Sequence, residues 1–268
     1  MNTTQQTIDT EPVLWPGWVH PPGTVAIVTG AGSGIGQATA ILAAQQGLTV
    51  AAWDINLDGA QRTVARAGDA GSSITPFAAD VADAAAVQAA MQATAGQLGA
   101  PTLLVNNAGP AALGTSLDFG QAVDAALGSV QKVTEAFLAT GPGPGASVVN
   151  ISAVSGSIAG GTGNDPPGFG WYAAAKAGIL GYTRWCATEL ATKCRFNAIA
   201  PGGPIETPRN RAFLDSPGMV ERIRRNPMRR PGTAAELAAG ILFLWSPAAS
   251  YINGVLLVID GGLTLTGG

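Results

Sequence analysis

The sequence predicts an α/β fold, a single doubly wound domain with a central parallel sheet of about seven strands and helices on both faces. Three observations carry that prediction. Short apolar, β-branched runs alternate with longer helix-favouring stretches from residue 24 to residue 259. The apolar runs lack polar alternation, the pattern of strands buried on both faces of a parallel sheet. No linker, internal repeat or change of composition interrupts the series, so repeated β-α-β units with right-handed crossovers account for the whole of it. Composition agrees: 47% of the 268 residues are hydrophobic and 12% are charged, which fills a sizeable core and excludes a disordered chain.

Each element has its own local signal. Residues 24–29 (TVAIVT) read as a strand that ends in glycines, and residues 35–46, rich in Ala and Gln, as a helix stopped by Gly47. Residues 48–53 form a second strand, closed by Asp54. A helix over 84–97 is followed by a strand over 102–105, and a strand over 147–151 by a long helix over 173–192. A strand over 196–200, a helix over 234–245 and a strand over 255–259 complete the pattern. The domain is expected over 23–268. Residues 1–22 precede it as an extended arm with Trp15 and Trp18 among prolines. Such an arm packs on its own domain or frays, the alternative being that its tryptophans dock on a neighbouring subunit.

Several function classes are set aside. The net charge of −3 argues against a nucleic-acid surface over the whole chain. Residues 1–22 carry Asp9 and Glu11 but no Lys or Arg, so the basic region of a signal peptide is missing. No apolar stretch approaches the roughly 20 residues that span a bilayer. Cys186 and Cys194 make no disulfide framework and read as buried thiols of a soluble cytoplasmic chain. His20 is the only histidine, so neither a His-based metal cluster nor a His-dependent triad is expected, and no metal is assigned.

The strongest local signal is Thr29-Gly-Ala-Gly-Ser-Gly-Ile-Gly36, between the first strand and the first helix. Gly30 allows a tight turn, Gly34 lets a diphosphate approach the backbone, and Gly36 lets helix and strand pack closely. The helix N-terminus offers free N–H donors and partial positive charge to phosphates. Asp54 lies 18 residues past Gly36, the spacing at which a carboxylate accepts hydrogen bonds from adenosine ribose hydroxyls. Its neighbours Trp53, Ile55 and Asn56 include no cation to pair a 2′-phosphate, so NAD is expected over NADP.

Together these motifs resemble the short-chain dehydrogenase/reductase family, a Rossmann-fold family, from about Gly23 to Gly262. The resemblance is carried by Thr29 to Gly36, Asp80-Val81, Asn106-Asn107-Ala108-Gly109, Tyr172-Ala-Ala-Ala-Lys176, Pro201-Gly202 and Asp260-Gly261-Gly262. It implies cofactor contacts from Gly30, Ser33, Gly34, Ile35, Gly36, Asp54 and Ile55 in the first half of the chain. Asp80 and Val81 would flank the adenine, while Asn107, Ala108 and Gly109 would brace the sheet edge. Pro201, Gly202, Ile205 and Thr207 would border the nicotinamide. Tyr172 and Lys176 share a helix face at i, i+4. The lysine charge favours phenolate, so Tyr172 would act as general acid or base while hydride moves to or from the nicotinamide. Lys176 would also hold the nicotinamide ribose. A homotetramer, or a dimer, is implied as well.

Two catalytic positions depart from the family. The usual hydroxyl after Ser152 is Ala153, and the usual helix asparagine aligns with Ala126. The span from Ala153 to Tyr172 is also longer than the family's. Ser152 is ranked first as a substitute donor, then Ser155, then Asn164 and Asp165 of the lengthened loop, where Thr162 also lies. Arg209, Arg211, Arg222, Arg224, Arg225, Arg229 and Arg230 form a basic cluster. It reads as solvent-facing charge and subunit ion pairs, or as a lid over an acidic substrate, and Phe213, Leu214 and Met219 there would present an apolar wall. The expected function is NAD-dependent interconversion of a secondary alcohol and a ketone, a small-molecule substrate. The alternatives are a non-redox lyase or isomerase that reuses Tyr172, or a cofactor-binding protein with weakened turnover.

Overall fold

The computed structural model describes residues 20–111, 115–158, 168–208 and 210–266. Trp15, Trp18, Thr162, Asn164, Asp165, Arg209 and the side chain of Phe213 lie outside the described residues.

The first half of the fold runs β1 (Val25–Thr29), α1 (Gly34–Gln45), β2 (Thr49–Asp54), α2 (Leu57–Arg66), β3 (Ile74–Ala78), α3 (Ala84–Leu98) and β4 (Pro101–Asn106). Then come α4 (Phe119–Val123), a π-helical turn (Asp124–Gly128), α5 (Ser129–Ala139), β5 (Ser147–Ile151), α6 (Val154–Ser157) and α7 (Gly170–Glu189). The last part comprises β6 (Arg195–Pro201), β7 (Ile205–Glu206), α8 (Arg211–Leu214), α9 (Pro217–Arg225), β8 (Gly232–Thr233), α10 (Ala234–Trp245) and β9 (Leu256–Ile259). Seven strands form one parallel sheet in the order β3-β2-β1-β4-β5-β6-β9. This is the doubly wound α/β fold that the alternating pattern predicts.

Strand periodicity divides the core between the two faces. Ala26 and Val28 of β1 pack with Ala40 and Ala43 of α1 and Leu237 and Ile241 of α10. Ile27, between them, faces Val87 and Met91 of α3, Phe137 of α5 and Cys186 of α7. The fully buried indoles are satisfied: Trp53 Nε1 donates to Thr94 Oγ1 at 2.9 Å and Trp245 Nε1 to the Leu104 carbonyl at 3.1 Å. A polar ladder crosses the apolar interior where β4 meets β5. Asn106 Nδ2 donates to Thr134 and to Asn150 Oδ1, and Asn150 Nδ2 donates to Thr183. These bonds tie α5, both strands and α7 together.

Two elements carry little sequence signal. Strand β3 (ITPFA) contains Pro76, which an edge strand tolerates because its missing N–H costs no ladder bond. Helix α2 (LDGAQRTVAR) is polar on most of its surface and buries only Gly59, Ala60 and Thr63.

Candidate active site

The chain runs outward from β1 through β2 to β3, then returns and runs the other way from β4 through β9. The carboxyl ends of β1 and β4 therefore border the topological switch point, where open α/β sheets hold their ligands.

The glycine-rich segment connects β1 to α1 at that point. Gly30 has φ +68°, and a Cβ on Gly36 would overlap the Gly30 carbonyl, so the turn and the close approach both exclude side chains. Ser33 is the N-cap of α1, yet its side chain caps no N–H. The first-turn N–H groups of Gly34, Ile35 and Gly36 thus retain donors for an anion, which fits a dinucleotide diphosphate. Asn107 braces the loop, donating from Nδ2 to the Thr29 carbonyl at 2.9 Å. Thr29 Oγ1 in turn accepts the N–H groups of Asn107 and Ala108, at 2.9 and 3.0 Å. Gly109 follows directly in the chain.

Asp54 ends β2 with both oxygens oriented. Oδ2 accepts from Gly32 N–H at 2.7 Å and Oδ1 from Asn56 N–H at 2.8 Å, leaving lone pairs for further donors. Ile55 beside it is 73% exposed, an apolar surface suited to an adenine ring. Asp80 accepts from Ala82 N–H at 2.9 Å, and Val81 packs on the α3 side of the core. Asp54 forms no ion pair with a cation among the described residues; on α2, a Cβ on Gly59 would lie 3.6 Å from Arg62 Nη2.

The opposite wall follows β6. Gly202 N–H donates to the Ile259 carbonyl after Pro201, and Ile205 is buried in β7. Thr207 reaches back over the glycine loop, its methyl 3.5 Å from where a Cβ on Gly34 would stand. Thr207 and the glycine loop, far apart in sequence, are thereby neighbours at the carboxyl edge of the sheet.

Tyr172 and Lys176 occupy the first turns of α7. Lys176 Nζ donates to the Ile151 carbonyl at 2.8 Å and lies 5.6 Å from the centre of the Tyr172 ring. Burial pushes the amine down to about 8, so its charge is poised near neutral pH. Phe169 and Trp171 fix the phenol ring, at centroid distances of 5.1 and 5.6 Å. Around the π-helical turn, Ala126 packs with Ala122, Trp171 and Ala175 in a small apolar cluster that Val123 and Tyr172 join. Ala126 itself offers no hydrogen-bonding side chain there.

The serines after β5 differ in what they touch. The Ser152 hydroxyl is 2.9 Å from the Lys176 carbonyl and 2.6 Å from Ser157 Oγ, and it is buried, so it ties β5 to α7. Ala153 is extended and buried. Ser155 is half-buried and leaves helical geometry at ψ 123°, just before Gly156, whose backbone packs against Ala173. No hydrogen bond engages the Ser155 hydroxyl among the described residues.

Most of the arginine cluster is paired at the surface. Arg211 meets Glu206 at 2.6 Å, Arg224 and Arg225 share Glu221 at 2.8 and 3.0 Å, and Arg230 meets Glu236 at 2.6 Å. Arg222 and Arg229 have no ion-pair partner among the described residues. Nor do those residues hold a group of three or more His, Cys, Asp or Glu placed to bind a metal. Thr29, the first residue of the glycine motif, and the buried Asn226, whose Nδ2 donates to the Asp260 carbonyl at 2.7 Å, are structural supports of the site; Asn226 belongs to no motif.

A family model described as enoyl-(acyl carrier protein) reductase matches residues 30–264. The chain belongs to the short-chain dehydrogenase/reductase family. As a member it is an oxidoreductase that binds a nicotinamide cofactor, NAD or NADP. Similar members include the 3-oxoacyl-(acyl-carrier-protein) reductase FabG of Thermotoga maritima, 36% identical over 91% of this chain and 98% of its own. The cyclohexanol dehydrogenase of Acinetobacter sp. is 35% identical, covering 90% and 94%. The crystal structure of levodione reductase superposes with a TM-score of 0.80 at 33% identity, covering 92% of this chain and 99% of that one. No helix among the described residues of this short-chain dehydrogenase/reductase is long and apolar enough to cross a membrane.

Proposed function

We propose that this short-chain dehydrogenase/reductase uses NAD to interconvert a small secondary alcohol and a ketone. The observation that carries the reading is that an uncapped glycine loop, the Asp54 carboxylate and the Tyr172–Lys176 pair, tied to the end of β5 through the Ile151 carbonyl, all stand at the carboxyl edge of one parallel sheet. When bound, the nicotinamide supplies or accepts a hydride. Tyr172 exchanges the proton with the substrate oxygen as general acid or base, and the Lys176 ammonium favours its phenolate form. Gly30, Ser33, Gly34, Ile35 and Gly36 bind the diphosphate, Asp54 and Ile55 the adenosine ribose and base, Asp80 and Val81 the adenine. Asn107, Ala108 and Gly109 hold the loop, and Pro201, Gly202, Ile205 and Thr207 border the nicotinamide. A serine after β5 supplies the hydroxyl that Ala153 lacks. Ser155 suits that task better than Ser152, whose hydroxyl is engaged by Lys176 and Ser157. The names of similar proteins, cyclohexanol dehydrogenase and D-threitol dehydrogenase among them, support an alcohol as substrate.

The free, buried thiols of Cys186 and Cys194 suit a reducing cytoplasm. Self-assembly to a dimer or tetramer is supported by the half-buried apolar edge strand β9 and by Trp185, 56% exposed on α7.

Calorimetry with NAD and NADP, followed by NAD reduction against a panel of cyclic, aromatic and acidic secondary alcohols, tests the reading. NAD is expected to bind more tightly, Asp54→Ala to narrow the gap, and Tyr172→Phe to abolish turnover while NAD binding persists. Equal affinity for both cofactors would overturn the NAD assignment. Substantial turnover by Tyr172→Phe would overturn the mechanism. Tight NAD binding with no turnover on any alcohol would favour the cofactor-binding alternative, for which Ala126 and Ala153 speak.

A further inference from the structure

Helix α2 is joined to the glycine loop by a chain of donors that runs in one direction. Arg66 Nη1 donates to Gln37 Oε1 at 2.7 Å, and Gln37 Nε2 donates to Thr63 Oγ1 at 2.9 Å. Thr63 Oγ1 donates to the Ala31 carbonyl at 2.7 Å, while Gln37 Nε2 also approaches the Gly32 carbonyl at 3.4 Å. Thr63 is fully buried and Gln37 is 9% exposed, so the inner bonds of the chain are shielded from water, while Arg66 at its outer end is exposed.

The direction is set at its outer end. A guanidinium only donates, so the Gln37 amide must turn its oxygen to Arg66 and its nitrogen inward. Having accepted from Gln37, the Thr63 hydroxyl has one proton left, and that proton goes to the Ala31 carbonyl. A trans peptide points its C=O and the following N–H in opposite directions. With the Ala31 carbonyl held toward Thr63, Gly32 N–H points away, onto Asp54 Oδ2 at 2.7 Å. With the Gly32 carbonyl drawn to Gln37, Ser33 N–H points away too, and it has no partner among the described residues.

We propose that Gln37, Thr63 and Arg66 are positioning residues for the dinucleotide, setting two successive peptide planes of the glycine loop. They aim one N–H at the carboxylate that meets the ribose and leave the next open for the diphosphate. None of the three needs to touch the cofactor. This inference rests on the proposal that the site binds NAD.

Isothermal calorimetry with NAD on the full-length chain, beside thermal melting without ligand, tests it. Thr63→Val keeps shape and charge but has no hydroxyl, and it is expected to weaken NAD binding by about tenfold or more, the effect of a buried bond lost. Thr63→Ser restores the donor and is expected to bind within about twofold of the unaltered protein, since the bond returns. Gln37→Met interrupts the chain one step earlier and is expected to follow Thr63→Val; it carries the test if Thr63→Val does not fold. Unchanged NAD affinity in a folded Thr63→Val or Gln37→Met variant would overturn the inference. So would equal weakening by Thr63→Ser and Thr63→Val. Failure of the unaltered protein to bind either NAD or NADP would instead overturn the functional reading on which the inference stands.

Discussion

Single side chains decide the chemistry at this site, and two of them carry separate predictions. The Ser155 hydroxyl has no hydrogen bond among the described residues, whereas Ser152 is bound to the Lys176 carbonyl and Ser157. Ser155→Ala is therefore expected to lower turnover by about 10²-fold, the scale for one donor lost from a developing oxyanion. Ser152→Ala is expected to cost less in rate and more in melting temperature. Rates and melts of the two variants, measured side by side, check the order; a larger rate loss in Ser152→Ala would reverse it. Lys176 carries the second prediction. Its amine titrates near 8 in the folded protein because burial disfavours its charge, while an unfolded lysine holds its proton to about 10.4. Between those values the unfolded chain binds more protons, so this group makes stability rise with pH; below 8 the cost of the buried charge is present in full. Lys176→Met is then expected to melt higher than the parent at pH 7, with the gap narrowing toward pH 10. Turnover in the parent is expected to fall above about pH 8 as the ammonium is lost.

At the scale of elements, α7 does two jobs along its length. Its first turns present Tyr172 and Lys176, and its second half presents Tyr182 stacked on Trp185, ring centres 6.2 Å apart and planes 14° from parallel. A large indole left 56% exposed on the outer face of this helix is suited to contact with a second copy. Trp185→Glu is expected to reduce the assembled fraction in sedimentation while leaving NAD affinity unchanged; an unaltered mass would remove this face from the interface. Elements with apolar, β-branched or Ala-rich stretches, such as β1, β5, α7 and α10, were legible in the sequence because burial on both faces leaves a continuous signal. Helix α2 was not, since it buries three small residues and otherwise faces water. For the same reason the Thr63 and Arg66 bonds, which span 32 and 29 positions, had no local trace.

Across the whole molecule, the site was legible wherever a motif sits at a strand end, because a parallel sheet brings all its carboxyl ends to one edge. Asp54, Asn107 and Pro201 all lie along it although 147 positions separate the first from the last. What the sequence hid was the supporting contact between distant segments, such as Asn226 on the Asp260 carbonyl or Thr207 beside Gly34. Strand β9 has one more consequence, and it concerns the order of synthesis. It is the last of the seven to leave the ribosome, yet it covers β6 and, through the Ile259 carbonyl, accepts the Gly202 N–H at the end of β6. A growing chain can assemble its glycine loop and Asp54 early, while β6 still has one bare edge open to strand pairing with another nascent copy. The glycine loop and Asp54 are thus synthesised about two hundred residues before the strand that closes the sheet beside Gly202.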